Sequence, residues 1–371
     1  MALSTSPSVS TSATSSGGAA VRQPGPDVVR AAALIGVVVM NYHGYLVILS
    51  SSQSTGQGWA AELFHPWTGP LSTRFAATFV LVAGVGVTLL TKRSRSDRQR
   101  VTAMRWKLVR RGVLLYTVGL VLDEIWPGTI LPYYGAMFVI AAGIFTLRTR
   151  WIVVIGGAAA LAGWGIRAWR YEQQTNGVST SWLTSPGTGS IRHYLFGSFV
   201  NGTHPLLPWI AFLCAGIVLG RVLSTSWWRP AALGTGFVLF STATIASSSA
   251  TGGFQSTLLS TNNGDRGLMF TASALGTALI AYASIDWLAN RFPTPLDPLR
   301  RAGQMTLTLY LAHIFVFNLI VDWLGWIDPA GLDLALTFAL IFWVVGIAAA
   351  STWNRRFGRG PAERVYRAFG G

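Results

Sequence analysis

A chain of 371 residues that is 51% hydrophobic and only 11% charged carries about half the charge usual for a soluble domain, which excludes that class and marks a membrane protein. A net charge of +15 invites a nucleic-acid reading. The arginines, however, cluster between apolar runs and no platform for stacking bases accompanies them, so nucleic acid is excluded as a partner. The lone cysteine, Cys214, rules out an intrachain disulfide and a cysteine-based metal site, and reads as a small apolar residue inside a span.

Residues 1–26 are Ser/Thr-rich and of low complexity, and they read as a disordered cytoplasmic tail. They lack the basic start and short apolar core of a secretory signal, so the first span acts as the insertion signal. Windows of about twenty apolar residues place spans near 28–50, 72–91, 108–122, 129–147, 151–169, 204–222, 230–249, 267–289, 304–325 and 332–353. The expectation is an all-α polytopic membrane protein of about ten transmembrane helices. Its body is the span-bearing domain 27–357, and a short basic tail follows at 358–371. The sixteen Trp suit anchoring at the two membrane interfaces.

Charge sets the orientation. All but five of the 28 Lys and Arg fall on one set of alternating segments, the exceptions being Arg74, Arg167, Arg170, Arg192 and Arg266. The basic side is then cytoplasmic, and both termini lie there. The first half of the basic run 92–111 reads as a solvated loop drawn to anionic membrane lipid. In its second half Arg105, Lys107, Arg110 and Arg111 crowd the entry to the third span, where guanidiniums could hold the phosphates of a nucleotide.

The first span holds polar groups where hydrocarbon is expected, which makes them functional-site candidates. Arg30 and Asn41 are eleven residues apart, about three helical turns, so they share a face roughly 16 Å apart along the axis, with Asp27 near the same stripe. His43 falls on the opposite face and reads as structural. His65 follows in the outward loop beside Pro66 and Trp67. Arg74 opens the second span from outside and calls for a partner such as Asp123 or Glu124. His313, with Thr306 and Tyr310 on one face of the ninth span, reads first as packing glue. The Gly/Ala stripe GGAAALAG at 156–163 reads as close helix packing. No His-x-x-x-His or Cys-x-x-Cys spacing suggests a metal.

Several motifs, in order, carry a resemblance. The opening D-x-x-R-(x10)-N from Asp27 to Asn41 resembles the start of the heparan-α-glucosaminide N-acetyltransferase family and, more loosely, of the bacterial ten-span sugar O-acyltransferases. HPWTGPLSTRFAATFVLVAG (65–84), ILPYYGAMFVI (130–140) and HPLLPWIAFLCAGIVLGR (204–221) are similar to segments of the first family. GQMTLTLYLAH (303–313) and GPAERVYR (360–367) look like the YeiB-type bacterial branch of the same superfamily. The resemblance implies transmembrane acyl transfer in a bacterial plasma membrane. Cytosolic acetyl-CoA would serve as donor and an extracytoplasmic sugar or sugar-lipid as acceptor, with a homodimer left open. By motif position His65 and Asn41 would be catalytic. The O-acyltransferases place histidine where this chain has Asn41, so their catalytic pattern does not carry over.

The chemistry is consistent with that implication. Acyl transfer needs a base for the acceptor's proton and donors for the oxyanion on the thioester carbonyl, and an imidazole and an amide suit those roles. On this reading Arg30, Arg105, Lys107, Arg110 and Arg111 bind the acyl-CoA, while Asp27, Trp67, Arg74, Tyr310 and His313 support the site. The alternative is a transporter or flippase for an amphiphilic or lipid-linked metabolite, whose path the same polar residues would line. Inverted repeats would favour it, and the sequence shows none.

Overall fold

Apolar runs of this length satisfy their own backbone hydrogen bonds only as helices, since lipid offers no partners. The computed structural model is all-α over the residues it describes, which are 24–50, 55–94, 97–184 and 190–371. The expected tail through residue 23 and the segment 51–54 lie outside the described residues. The helices are α1 (Gly25–Leu49), α2 (Trp59–Leu63), α3 (Arg74–Thr91), α4 (Arg98–Asp123), α5 (Leu131–Ile144), α6 (Thr149–Thr175), α7 (Ser181–Thr184) and α8 (Ile191–Phe196). They continue with α9 (Leu206–Val222), α10 (Trp228–Ser248), α11 (Gly253–Leu258), α12 (Leu268–Arg291), α13 (Asp297–Gly303), α14 (Thr306–Phe317), α15 (Leu332–Phe357) and α16 (Pro361–Gly370).

Every one of the ten expected spans coincides with a helix, but they are not equally suited to a bilayer. Among the described residues seven helices are long and apolar enough to cross. An eighth is added if the pair Ile191–Asn201 and Leu206–Val222, bent by 56°, is one span. The expected third and fourth spans fall on α4, whose first half is basic, and on α5, which has only 14 residues.

The basic run departs from the loop expected of it. It is helical from Arg98 onward, because Asp97 caps the start by accepting from the amides of Gln99 at 2.9 Å and Arg100 at 3.4 Å. The last residues are no loose tail either. Pro361 pre-sets the first turn of α16, which packs against α4 and α14.

α1 is the central post, touching α3, α12, α13, α14 and α15. Its backbone comes so close to α13 that a β-carbon at Gly303 would lie 1.8 Å from the Asp27 carbonyl oxygen. α3 and α9 are equally tight, since a β-carbon at Gly216 would lie 1.9 Å from the Leu81 carbonyl oxygen. Such approaches replace the hydrophobic drive that lipid removes. The Gly/Ala stripe of α6 divides: Gly156 meets Cys214 of α9 and Gly163 meets Pro208, whereas a β-carbon at Gly157 would have no neighbour within 4 Å among the described residues.

Candidate functional site

One cavity of about 320 Å³ opens at the basic end between α1, α3, α4, α5, α14 and α16. Its mouth carries Arg30, Arg111, Arg359 and Arg367 with Gln304, Glu363 and Tyr366. Deeper in, the walls turn apolar, with Phe79, Ala83, Leu115, Leu131 and Phe138. Ile130 and Tyr310 mark its inner end.

The mouth is positively charged, with four arginines beside the carboxylates of Asp27 and Glu363. Arg30 Nη1 pairs with Asp27 Oδ1 at 3.3 Å, and Asp27 also accepts from Gln304 at 3.2 Å. Glu363 is spoken for: it accepts from the amides of Leu307 at 2.7 Å and Thr308 at 3.1 Å and from the Thr308 hydroxyl at 2.5 Å. That carboxylate caps the start of α14 and so fixes α16 beneath the cavity. Arg111 is buried, and among the described residues it has neither an ion pair nor a partner for Nε. Its guanidinium lies 4.9 Å from the centre of the Tyr366 ring. Burial pushes the Tyr366 phenol up to about 12, so the ring beneath Arg111 stays neutral. A buried cation without a counter-charge is costly, and an anionic ligand in the mouth would relieve it.

Tyr310 closes the inner end. Its hydroxyl shares a 2.8 Å hydrogen bond with the Thr129 hydroxyl and accepts from the Ile130 amide at 3.3 Å. Behind it, with ring centres 4.9 Å apart, stands fully buried His313. His313 Nδ1 is bonded to the Tyr310 carbonyl, and Nε2 lies 3.2 Å from Asn41 Nδ2. A carbonyl only accepts, so Nδ1 carries the proton. The amide nitrogen of Asn41 only donates, so Nε2 presents its lone pair. Turning the Asn41 amide over would demand a buried imidazolium, which the apolar surroundings disfavour. Trp126 meets the imidazole edge-on at 5.5 Å, and Tyr42 donates to the His313 carbonyl at 3.1 Å. The pair is a neutral imidazole whose Nε2 accepts from Asn41, set one side chain behind the cavity.

His65 is placed differently. Its Nδ1 accepts from the Thr68 hydroxyl at 2.9 Å and from the amides of Thr68 at 3.2 Å and Trp67 at 3.4 Å. That leaves the proton on Nε2, so the free edge of this imidazole donates. Trp67 stands edge-on to it with ring centres 5.8 Å apart. His43 Nδ1 lies 2.8 Å from the Phe64 carbonyl oxygen and so holds the loop that carries His65. His43 and Asn41 are about 200° apart around α1, so His65 and the Asn41–His313 pair belong to different sides of that helix.

The expected site residues therefore separate. Arg30, Arg111 and Tyr310 line the cavity, and Asn41 and His313 stand behind its end. Arg105, Lys107 and Arg110 are not in the lining, and Arg105 instead reaches Thr146 at 3.4 Å. On one helix, residues 105 and 111 cannot both face one neighbour. Among the described residues Arg74 has no carboxylate partner. It donates to Ser273 at 2.8 Å and to the carbonyls of Pro70, Thr261 and Phe270 at 3.3 Å. Carbonyl dipoles suffice for it, while Asp123 is engaged by the Gly128 amide at 2.8 Å. Sequence reasoning missed Gln304, Arg359, Tyr366 and Arg367 as lining residues. The motif GPAERVYR was the available signal, because its Pro start and alternation of charge with Tyr366 mark a short amphipathic helix. Among the described residues no cluster of His, Cys, Asp and Glu could hold a metal.

Two family models match the chain. The model described as heparan-alpha-glucosaminide N-acetyltransferase, catalytic, matches residues 22–249. That described as a protein of unknown function, DUF418, matches residues 217–370. The first covers α1 to α10, and the second supplies α14 and α16. No curated protein matches the chain.

Proposed function

The chain belongs to the heparan-α-glucosaminide N-acetyltransferase catalytic family, and from that premise we propose that it transfers an acyl group across the membrane. The donor is a cytosolic acyl-CoA, with acetyl-CoA the first candidate. The acceptor is a hydroxyl or amine of an extracytoplasmic sugar or sugar-lipid. The basic end is then the cytoplasmic one, in keeping with the charge bias of the loops. One observation carries the reading: a cavity with an arginine mouth and an apolar stem ends one side chain short of a neutral, oriented imidazole.

Each part has a role in that scheme. Arg111, Arg359 and Arg367 hold the nucleotide phosphates, and the apolar stem takes the pantetheine arm. Cavities of this size, from about 300 Å³, are ordinary for small ligands. The thioester arrives at Tyr310. His313 Nε2 takes the proton from the acceptor as its oxygen or nitrogen bonds to the acyl carbon. The Asn41 amide, released from His313, donates to the oxyanion. The C–S bond then breaks, and the CoA thiolate recovers the proton from His313. His65 donates from the outward loop to position the acceptor. The Tyr310–Thr129 hydrogen bond must open for donor and acceptor to meet.

The test uses purified protein in lipid nanodiscs with radiolabelled acetyl-CoA. Thioester consumption is expected in the native protein. His313→Ala should abolish it while acetyl-CoA still binds. His65→Ala should raise the acceptor's KM far more than it lowers thioester hydrolysis. Acetyl-CoA that neither binds nor is consumed would sink the acyl-transfer reading and favour the transporter or flippase.

A further inference from the structure

Of the five cations on the side opposite the basic one, three converge. Arg167 and Arg170 lie one turn apart on α6, and Arg266 stands in the turn before α12. Together they line a small cavity of about 40 Å³, closed by Val200 and Leu207. A single carboxylate answers them, since Asp265 Oδ1 accepts from Arg167 Nη2 at 2.5 Å. Arg170 makes no ion pair among the described residues, and the remaining stretches of the sequence contain no acid. Arg266 Nη1 donates to the Val200 and Asn201 carbonyls at 3.1 Å, which fixes the guanidinium without neutralising it. The Nε atoms of all three are buried without a hydrogen-bond partner.

Two further facts count against a passive role. Arg266 sits in the left-handed backbone region at φ 49°, where a non-glycine residue is strained. Like charges are also held together on the side of the membrane where loop cations are scarce. Burial pushes the Arg266 guanidinium below its ordinary range; Tyr133 opposes this, while Arg170 and Arg167 add to it. Such an arrangement is relieved by an anion that two or three guanidiniums can grip at once. A water needs about 10–15 Å³ by this measure, so the cavity has room for one oxyanion and not for a sugar ring.

We propose that Arg167, Arg170 and Arg266 form an extracytoplasmic site for one oxyanion, a carboxylate, sulfate or phosphate. The oxyanion is that of a soluble ligand or of an anionic lipid headgroup. The site stands independently of the acyl-transfer reading.

The experiment places the full chain in phosphatidylcholine nanodiscs and follows thermal stabilisation by inorganic phosphate, sulfate and glucuronate at constant ionic strength. Glucose and chloride are the controls. Saturable stabilisation by the oxyanions is expected. Arg170→Gln should weaken it at least tenfold, Arg170→Lys should keep part of it, and Asp265→Asn should tighten it several-fold by freeing Arg167. Arg192→Gln should leave it unchanged. Nanodiscs containing phosphatidylglycerol distinguish the sources, because a lipid ligand would occupy the site and abolish the response to added phosphate. Equal stabilisation by chloride, or binding that Arg170→Gln and Asp265→Asn both leave unaltered, would overturn the proposal. Oxyanion binding without any thioester consumption would leave the site standing and sink the acyl-transfer reading. Thioester consumption without oxyanion binding would do the reverse.

Discussion

Glu363 fastens the C-terminal helix, and its removal should unlatch the cavity mouth. In Glu363→Ala two amides of the first turn of α14 and the Thr308 hydroxyl lose an acceptor, the contacts being 2.7, 3.1 and 2.5 Å. The Thr308 oxygen, which accepts from the Ala362 amide at 3.2 Å, loses its anchor as well. Hydrogen bonds to a charged acceptor contribute about 1.5–3 kcal/mol each, a helix cap about 1 kcal/mol, and water reaching the half-buried turn restores part of this. A net loss of about 3 kcal/mol follows, which is roughly a 100-fold fall in the docking equilibrium constant. Glu363→Gln keeps an acceptor but not the charge, and should cost about 1 kcal/mol. Hydrogen exchange is the direct assay. The Leu307 and Thr308 amides and the segment 361–370 should exchange roughly 100-fold faster, while the α3–α9 core stays protected. Acetyl-CoA affinity should fall as well, because Tyr366 and Arg367 leave with the helix. Unchanged exchange at Leu307 and Thr308 would refute the latch.

Three other outcomes are expected. Arg111→Ala should raise the Kd for acetyl-CoA about tenfold or more, while Arg105→Ala leaves it within about twofold, as calorimetry on the two variants would show. Gly216→Leu drives a side chain into the Leu81 carbonyl and should cost about 3 kcal/mol or more, read as a lower unfolding temperature and loss of monodispersity. Asp297 supplies a pH signature: burial raises its carboxyl, but hydrogen bonds from Arg301 at 2.6 Å and Arg300 at 2.5 Å outweigh this and hold it below the ordinary range. A carboxyl depressed in the folded state adds stability above its unfolded pKa, about 3.9, and loses it as pH falls through the lower folded value. Asp297→Asn should therefore flatten the acid limb of the stability profile and leave its slope near neutrality alone.

The spans were legible because lipid leaves a chain only one way to satisfy its amides, so apolar length alone located the helices. Arg30 and Asn41 were legible as a pair for a similar reason. Eleven residues set them on one face, and both do turn toward the α13–α14 side, Arg30 to Gly303 at 3.4 Å and Asn41 to His313 at 3.2 Å. Which imidazole Asn41 would meet was not legible, because that depends on how α14 packs against α1, more than 270 residues away in the chain. Arg74 illustrates the same limit. A buried cation calls for a partner, but periodicity cannot say whether carboxylate or carbonyl supplies it. The basic run misled through its composition, since nothing in a count of charges reveals that Asp97 starts a helix there.

The hydrogen bond between Tyr310 and Thr129 has a consequence for the cell that houses the protein. A bilayer that stores an ion gradient tolerates no standing aqueous pore, yet the chemistry proposed here needs access from both compartments. With Tyr310, Thr129 and the His313–Asn41 pair at the inner end of the cavity, and Tyr42, Trp126 and Phe342 packed around the imidazole, insulation and reactivity fall on neighbouring side chains. A variant that thins this wall, such as Tyr310→Ala, would then be expected to harm its host by leaking protons even where no acyl group is ever moved.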